Sequence, residues 1–296
     1  MRIFVTGASG WIGSAVTAEL LAAGHDVVGL ARSDRAAAVI EGLGARVRRG
    51  ELDNPDDLRA GAADSDGVVH LGYNHDFSDM AGAARTDRAA ITALGETLAG
   101  TDRPLVIASG VLGLGTQHPA TEQDVADPDV HPRSANALAA LAFADRGVRS
   151  AVVRFAPTVH GDGDYGFIAV LVGVARAKGI AAYVGDGTGH WPAVHRADAA
   201  GLVRLAVEEA PAGSVLHAVA EEGVPTREIA EAIGRGLNLP AGPVPADQAF
   251  AHFGWIGPLF GMDSRATSTA TQRLLGWKPA HPGLIADLDA GYYFRA

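Results

Sequence analysis

The chain has no cysteine and only two lysines, Lys178 and Lys278, in 296 residues. The first absence excludes disulfides, thiolate nucleophiles, iron–sulfur clusters and cysteine zinc sites. Basic blocks are missing as well. Lys and Arg number 24 against 34 Asp and Glu, a net charge of −10. A net-acidic chain without a basic stripe argues against nucleic acid as a partner. Long apolar runs are also absent. The longest, near Phe167, stops at Arg176, well short of the ~20 residues that span a bilayer. The opening MRIFVTGASG breaks into glycines after a short apolar run, unlike a secretory leader. The expected address is the cytoplasm, with no membrane partner. The 11 histidines include no H-E-x-x-H motif and no i,i+4 pair, so no metal site is expected.

What the chain does have is a recurring strand-then-helix pattern. Short β-branched runs fall at 3–5, 26–30, 45–48, 67–71, 105–108 and 150–155. Ala- and Leu-rich segments of helical length lie between most of them, at 11–23, 81–99 and 134–146. That alternation predicts an α/β fold with a parallel sheet covered on both faces. From about Val159 the pattern loosens, with helices expected at 167–177, 197–208, 226–235, 267–275 and 284–292. Short strands are expected there at 181–184 and 215–219. The reading is a dinucleotide-type lobe over 1–158, with later returns to it left open, and a smaller lobe over 159–296.

Residues 6–13 read TGASGWIG, between the first strand and the first helix. Gly7 permits a tight turn, Gly10 lets backbone approach a pyrophosphate, and Gly13 lets helix and strand pack closely. The helix start then offers free N–H groups and a partial positive charge. The second strand ends at Ala31-Arg32-Ser33. A cofactor with a free 2′-hydroxyl is usually held there by a carboxylate. Arg32, helped by Ser33, suits a 2′-phosphate instead, which favours NADP(H) over NAD(H). A solvated surface arginine is the bland alternative.

The TGxxGxxG turn resembles that of the extended or atypical short-chain dehydrogenase/reductase family. The resemblance continues through GELDN (50–54), VVHLG (68–72), LVIASGVLG (105–113), VVRFAPTVHG (152–161) and PAVHRADAA (192–200). It implies a Rossmann-type doubly wound parallel sheet with a smaller C-terminal mixed α/β substrate lobe. It further implies that Gly7, Ser9, Gly10, Trp11, Ile12 and Gly13 hold the pyrophosphate. Glu51 and Leu52 would lie by the adenine. Leu71, Gly72, Tyr73 and Asn74 would line the inner ribose. Phe155, Ala156, Pro157 and Thr158 would pass over the nicotinamide. A homodimer is left open by the same likeness.

One family feature is missing. The family's Y-x-x-x-K pair supplies a proton and steadies the nicotinamide ribose. Here the segment reads HPRSA (131–135), with His131 for the Tyr and Ala135 for the Lys. Three explanations compete. The first is a reductase of a small, partly apolar ketone or aldehyde with a substitute proton donor. Its candidates are His131, which also reads as a capping residue, and Tyr73 or His75 in the loop after the fourth strand. Asp76 could orient His75 or meet the substrate. Ser109, ending the fifth strand, reads either as a hydrogen-bond donor to the substrate oxygen or as a turn cap, and Ala108 competes for its column. His160 and Trp191 are expected at the substrate, whereas His195 and Asp198 read as hydrogen-bonded struts. Arg133, Asn74 and Ser109 are candidates for holding the ribose. The second explanation is a non-catalytic NADP(H)-binding redox sensor. The third, a sugar-nucleotide epimerase or dehydratase, leans harder on the missing pair.

Overall fold

The computed structural model describes residues 1–74, 79–114, 118–125, 127 and 132–295. Its first half is built from β1 (Arg2–Thr6), α1 (Trp11–Ala22), β2 (Asp26–Ala31), α2 (Asp34–Gly42), β3 (Arg46–Arg49), α3 (Pro55–Ala63), β4 (Gly67–His70), α4 (Met80–Leu98), β5 (Pro104–Gly110), α5 (Pro132–Leu141) and β6 (Arg149–Phe155). The helices start where local chemistry tells them to. Ser33 accepts the Ala36 N–H and caps α2, and Asn54 caps α3 ahead of Pro55.

The rest comprises β7 (Thr158–His160), α6 (Phe167–Lys178), β8 (Ala181–Val184), β9 (His190–His195), α7 (Arg196–Glu209), β10 (Ser214–Ala218), β11 (Glu221–Pro225), α8 (Thr226–Leu237), β12 (Ala241–Val244), α9 (Ala249–Phe253), α10 (Gly257–Phe260), α11 (Thr269–Leu275) and α12 (Leu284–Asp289). Strand β10 joins the main sheet, whose order is β10-β6-β5-β4-β1-β2-β3, with every pairing parallel. Helix α7 also returns, packing Leu202, Val203 and Ala206 with Val16 and Leu20 of α1. On the opposite face α4 and α5 cover Leu105, Ile107 and Val152. The smaller lobe has a three-stranded sheet, β11-β9-β7, and a two-stranded one, β12-β8, around Trp191, Phe253 and Phe260.

Strand order reverses between β1, which continues to β2 on one side, and β4 on the other. A crevice opens at the carboxyl ends of strands at such a reversal, and ligands of open α/β sheets bind there. Thr6-Gly7 and Leu71-Gly72 leave the sheet at that point.

Candidate active site

Gly7 has φ +70, and a Cβ there would lie 2.7 Å from the Gly72 amide nitrogen and 2.8 Å from the Leu71 carbonyl carbon. A side chain would therefore collide with the backbone that leaves β4. Gly10 caps α1 with no side-chain hydrogen bond. The first-turn amides of Trp11, Ile12 and Gly13 have no intrahelical acceptor by helix geometry. They face the turn with the helix's partial positive charge behind them. Leu52 approaches the same crevice, 3.2 Å from where a Gly72 Cβ would stand. Glu51 is exposed beside it, its N–H bonded to Asp57 Oδ2 at 2.9 Å.

Arg32 is exposed just past the end of β2, and no hydrogen bond or ion pair to another described residue holds it. Ser33 Oγ accepts from Ala36 N, which leaves its O–H to donate to a ligand. Ser9 sits half-buried within the turn.

Trp11 has a second task. Its indole Nε1 donates to the Val159 carbonyl at 2.7 Å, tying the turn to the smaller lobe. Arg196 stacks on the ring at 4.1 Å and donates to the Trp11 carbonyl and to Ser14 Oγ. Phe155 and Ala156 are buried and Pro157 half-buried, and the Ala156 N–H bonds to Ala218 as the chain crosses from β6 to β7. Thr158 is buried at the start of β7.

A buried polar chain, not anticipated from the sequence, runs beneath the ends of β1 and β4. Gly72 N–H donates to Thr6 Oγ1 at 3.0 Å, and Thr6 Oγ1 lies 2.8 Å from His70 Nδ1. His70 Nε2 meets Asp87 Oδ1 at 3.2 Å, and Asn136 Nδ2 donates to Asp87 Oδ2 at 2.7 Å and to the Ala84 carbonyl. The carboxylate can only accept, so His70 carries a proton on Nε2, and a neutral ring leaves Nδ1 to accept from Thr6. Burial alone would raise the Asp87 carboxyl, but His70, Asn136 and the charge of Arg133 outweigh it and hold it below the ordinary carboxylate range. Asp87 falls on the buried stripe of α4 with Ala83, Ala84, Ala90 and Ile91. A carboxylate at the apolar period of a helix is a signal the sequence does contain.

Tyr73 follows this chain out of β4 and meets Arg133, from the first turn of α5. The guanidinium carbon stands 4.2 Å from the ring centroid. Arg133 Nη2 reaches the Ala108 carbonyl at 3.4 Å. Burial pushes the Tyr73 phenol above its usual value, Arg133 pulls against the rise, and Asp87 adds to it. Ser109 is buried opposite Arg154 of β6. By strand alternation it shares the α5 side with Leu105 and Ile107, whereas Ala108 faces the α1 side. Tyr73, Ser109 and Arg133 thus gather at the carboxyl ends of β4 and β5, with Asn74 exposed next to Tyr73 in the chain. His75, Asp76 and His131 lie outside the described residues.

Two expectations fail. His160 is fully buried, with Nδ1 2.5 Å from Asp287 Oδ2. Trp191 is fully buried between Phe167 and Phe260, its Nε1 donating to the Leu259 carbonyl. Neither presents surface to a substrate, because both sit on strands of the inner sheet of the smaller lobe. His195, Asp198 and His281 come within 4.8 Å of one another. The two imidazoles are stacked, 4.6 Å apart with planes 8° from parallel, so their lone pairs run side by side and do not converge on one ion. Asp198 accepts from the Ala280 and His281 amides and pairs with His281 Nδ1. His195 accepts the Ala197 N–H and caps α7. These residues are struts.

Fold and turn together define a Rossmann-type protein. The sequence pattern of the NAD dependent epimerase/dehydratase family matches residues 3–219, and the chain belongs to that family. It is 45% identical over 296 residues to an uncharacterized protein of Schizosaccharomyces pombe, covering 99% of this chain and 100% of that one. It is 31% identical over 262 residues to the 2′-dehydrokanamycin reductase of Streptomyces kanamyceticus, covering 84% of this chain and 71% of that protein. Among solved structures, a dTDP-glucose 4,6-dehydratase of Streptomyces venezuelae with NAD bound superposes with a TM-score of 0.80 at 20% identity, covering 99% of this chain and 96% of that one. No helix among the described residues is long and apolar enough to cross a membrane.

Proposed function

We propose that the protein is an NADP(H)-dependent oxidoreductase that reduces a ketone or aldehyde on a small, partly apolar molecule, or runs the reverse oxidation. The observation that carries this reading is the uncapped glycine turn at the reversal of strand order, with Arg32 exposed at the end of β2. The turn fits a dinucleotide because the first-turn amides of Trp11, Ile12 and Gly13 have no intrahelical acceptor and the glycines let backbone pack where a Cβ would collide. Gly7, Ser9, Gly10, Trp11, Ile12 and Gly13 hold the diphosphate by backbone. Glu51 and Leu52 lie by the adenine, Leu71 and Gly72 line the inner ribose, and Arg32 with Ser33 reads the 2′-phosphate. When bound, the reduced nicotinamide supplies a hydride to the carbonyl carbon. The chain's own task is then to hold the carbonyl oxygen and give it a proton. Ser109 suits the first role, and Tyr73, His75 and His131 are the donors to be separated. The likeness to a relative named as a reductase supports this direction of chemistry.

The test is NADPH consumption, followed at 340 nm, against a panel of ketones and aldehydes. Turnover of at least one member is expected. Tight NADPH binding with no turnover on any member would replace this reading with that of a redox-sensing binder, and no binding of either coenzyme would remove both.

A further inference from the structure

We propose that Tyr73 and Arg133 form a tyrosine–cation pair that takes over from the missing Tyr-x-x-x-Lys pair, with Tyr73 the proton donor to the substrate's carbonyl oxygen and Arg133 the charge that steadies the phenolate left behind. This rests on the carbonyl-reductase reading above. The two residues are 60 positions apart in sequence and reach each other from different elements, the exit of β4 and the start of α5. Arg133 stands between positions 131 and 135, where the family's Tyr and Lys are absent. Its guanidinium carbon stands over the Tyr73 ring, 4.2 Å from the centroid. A guanidinium stays charged at every working pH and carries a fixed fork of donors, which an ammonium does not.

Arg133 also has hydrogen-bonding capacity to spare. A guanidinium carries five N–H donors. Its Nε is buried with no hydrogen-bond partner, and the contact from Nη2 to Ala108 is long at 3.4 Å. A buried donor without an acceptor is costly to keep. A ribose hydroxyl or a phenolate oxygen at these strand ends would satisfy it. The arrangement is held from below: Thr6, His70, Asp87 and Asn136 fix the exit of β4 against the first turns of α5. That buried chain positions the pair and does not itself meet substrate.

The chemistry balances. As the carbonyl carbon gains the hydride, the C=O π pair moves onto oxygen, which then binds the Tyr73 phenolic proton. The phenolate is reprotonated from water. A phenol protonated at neutral pH serves here, because an alkoxide is a far stronger base.

The first test is a pH profile of kcat/KM for the wild-type enzyme. A Tyr73 donor predicts a flat profile between pH 6 and pH 9. A histidine donor, His75 or His131, predicts a fall above the ordinary imidazole value of about 6.5. Tyr73→Phe should lower kcat about 100-fold or more while NADPH affinity, read by fluorescence titration, stays within about threefold, as loss of a proton donor without loss of binding requires. Arg133→Lys should not restore what Arg133→Met loses. A readout independent of turnover comes from replacing Tyr73 with 3,5-difluorotyrosine and following its ionisation by ¹⁹F NMR. Arg133→Met should raise that midpoint by roughly one pH unit, the effect of removing a screened unit charge at this distance. An unmoved midpoint would overturn the pair, as would a Tyr73→Phe enzyme with wild-type kcat or a profile falling above pH 6.5. Failure of the broader reading shows separately, as wild-type protein that consumes no NADPH with any carbonyl.

Discussion

Gly13→Ala puts the glycine turn to a direct mechanical test. Gly13 is the third residue of α1, and a Cβ there would overlap the Gly7 carbonyl oxygen and stand 2.7 Å from its carbon and 3.1 Å from Ala8 Cα. Ordinary contact begins at 3.4 Å and the Gly7 oxygen is the nearest atom, 2.0 Å away, so the helix start must retreat by about 1.4 Å from the strand exit to clear it, the kind of backbone shift overpacking forces. Both sides are backbone, so no flexible side chain can yield. Overpacking of this kind costs about 1–3 kcal/mol, and alanine's better helix propensity returns about 0.8–1.0 of it. The net loss is therefore modest. The functional loss is larger, because the same shift withdraws the amides of Trp11 and Ile12 from the diphosphate. A hydrogen bond to a charged group is worth about 1.5–3 kcal/mol, so losing one weakens NADPH roughly 10- to 150-fold. Gly173→Ala is the control: that glycine lies in α6 with nothing within 4 Å of a Cβ, and it should gain stability with unchanged binding. Calorimetric titration with NADPH and thermal melts decide the matter. A Gly13→Ala protein that binds NADPH as tightly as wild type would refute the claim that helix and turn are jammed together.

Three further outcomes follow from named groups. Arg32→Asp should weaken NADPH far more than NADH, and equal losses for the two coenzymes would mean that Arg32 does not read the 2′-phosphate. Asp87→Ala strips the partner from His70 and Asn136, and breaking a buried pair of this kind costs about 3–5 kcal/mol; a urea midpoint shifted by less than about 1 M, at a slope of about 3 kcal/mol per molar, would show the chain to be dispensable. Burial holds His195, His217 and His252 below the usual imidazole range. The unfolded chain then binds more protons between those depressed values and about 6.5, so stability rises with pH through that window and falls on acidification from pH 7 toward 5.5. A melting temperature that holds steady over that interval, or a His217→Gln variant with an equally steep decline, would contradict this assignment.

The main sheet was legible because its strands are buried on both faces. Ile3-Phe4-Val5 and Val68-Val69 are wholly inaccessible, and such runs declare themselves by β-branching and by the glycines that end them. The glycine turn was legible for the same local reason. The site where Tyr73, Ser109 and Arg133 meet was legible only as separate residues. Nothing in spacing tells that a side chain leaving β4 will lie under a guanidinium from α5, because that contact is set by how α4 and α5 pack on one face. The polar chain beneath it left a clearer trace, a carboxylate on the apolar stripe of α4 and a histidine closing the apolar strand β4. The smaller lobe gave least. Strand β7 has three residues, and β9 has four consecutive buried positions with no alternation. Without a period of two there is no way to tell an inward side chain from an outward one. His160 and Trp191 were placed at the substrate for want of that information.

Trp11 shows how a local motif can understate a residue. The sequence assigns it to the turn through its backbone amide, at the start of α1. The side chain points the other way, to Val159 of the smaller lobe, and Arg196 of that chain segment clamps it from above. Amide and indole belong to one rigid first turn, so a displacement of the turn at the diphosphate end is a displacement of the strut at the lobe end. The residues Phe155 to Thr158 immediately precede Val159 in the chain. The bond from Trp11 to Val159 therefore links the glycine turn to the crossing from β6 to β7.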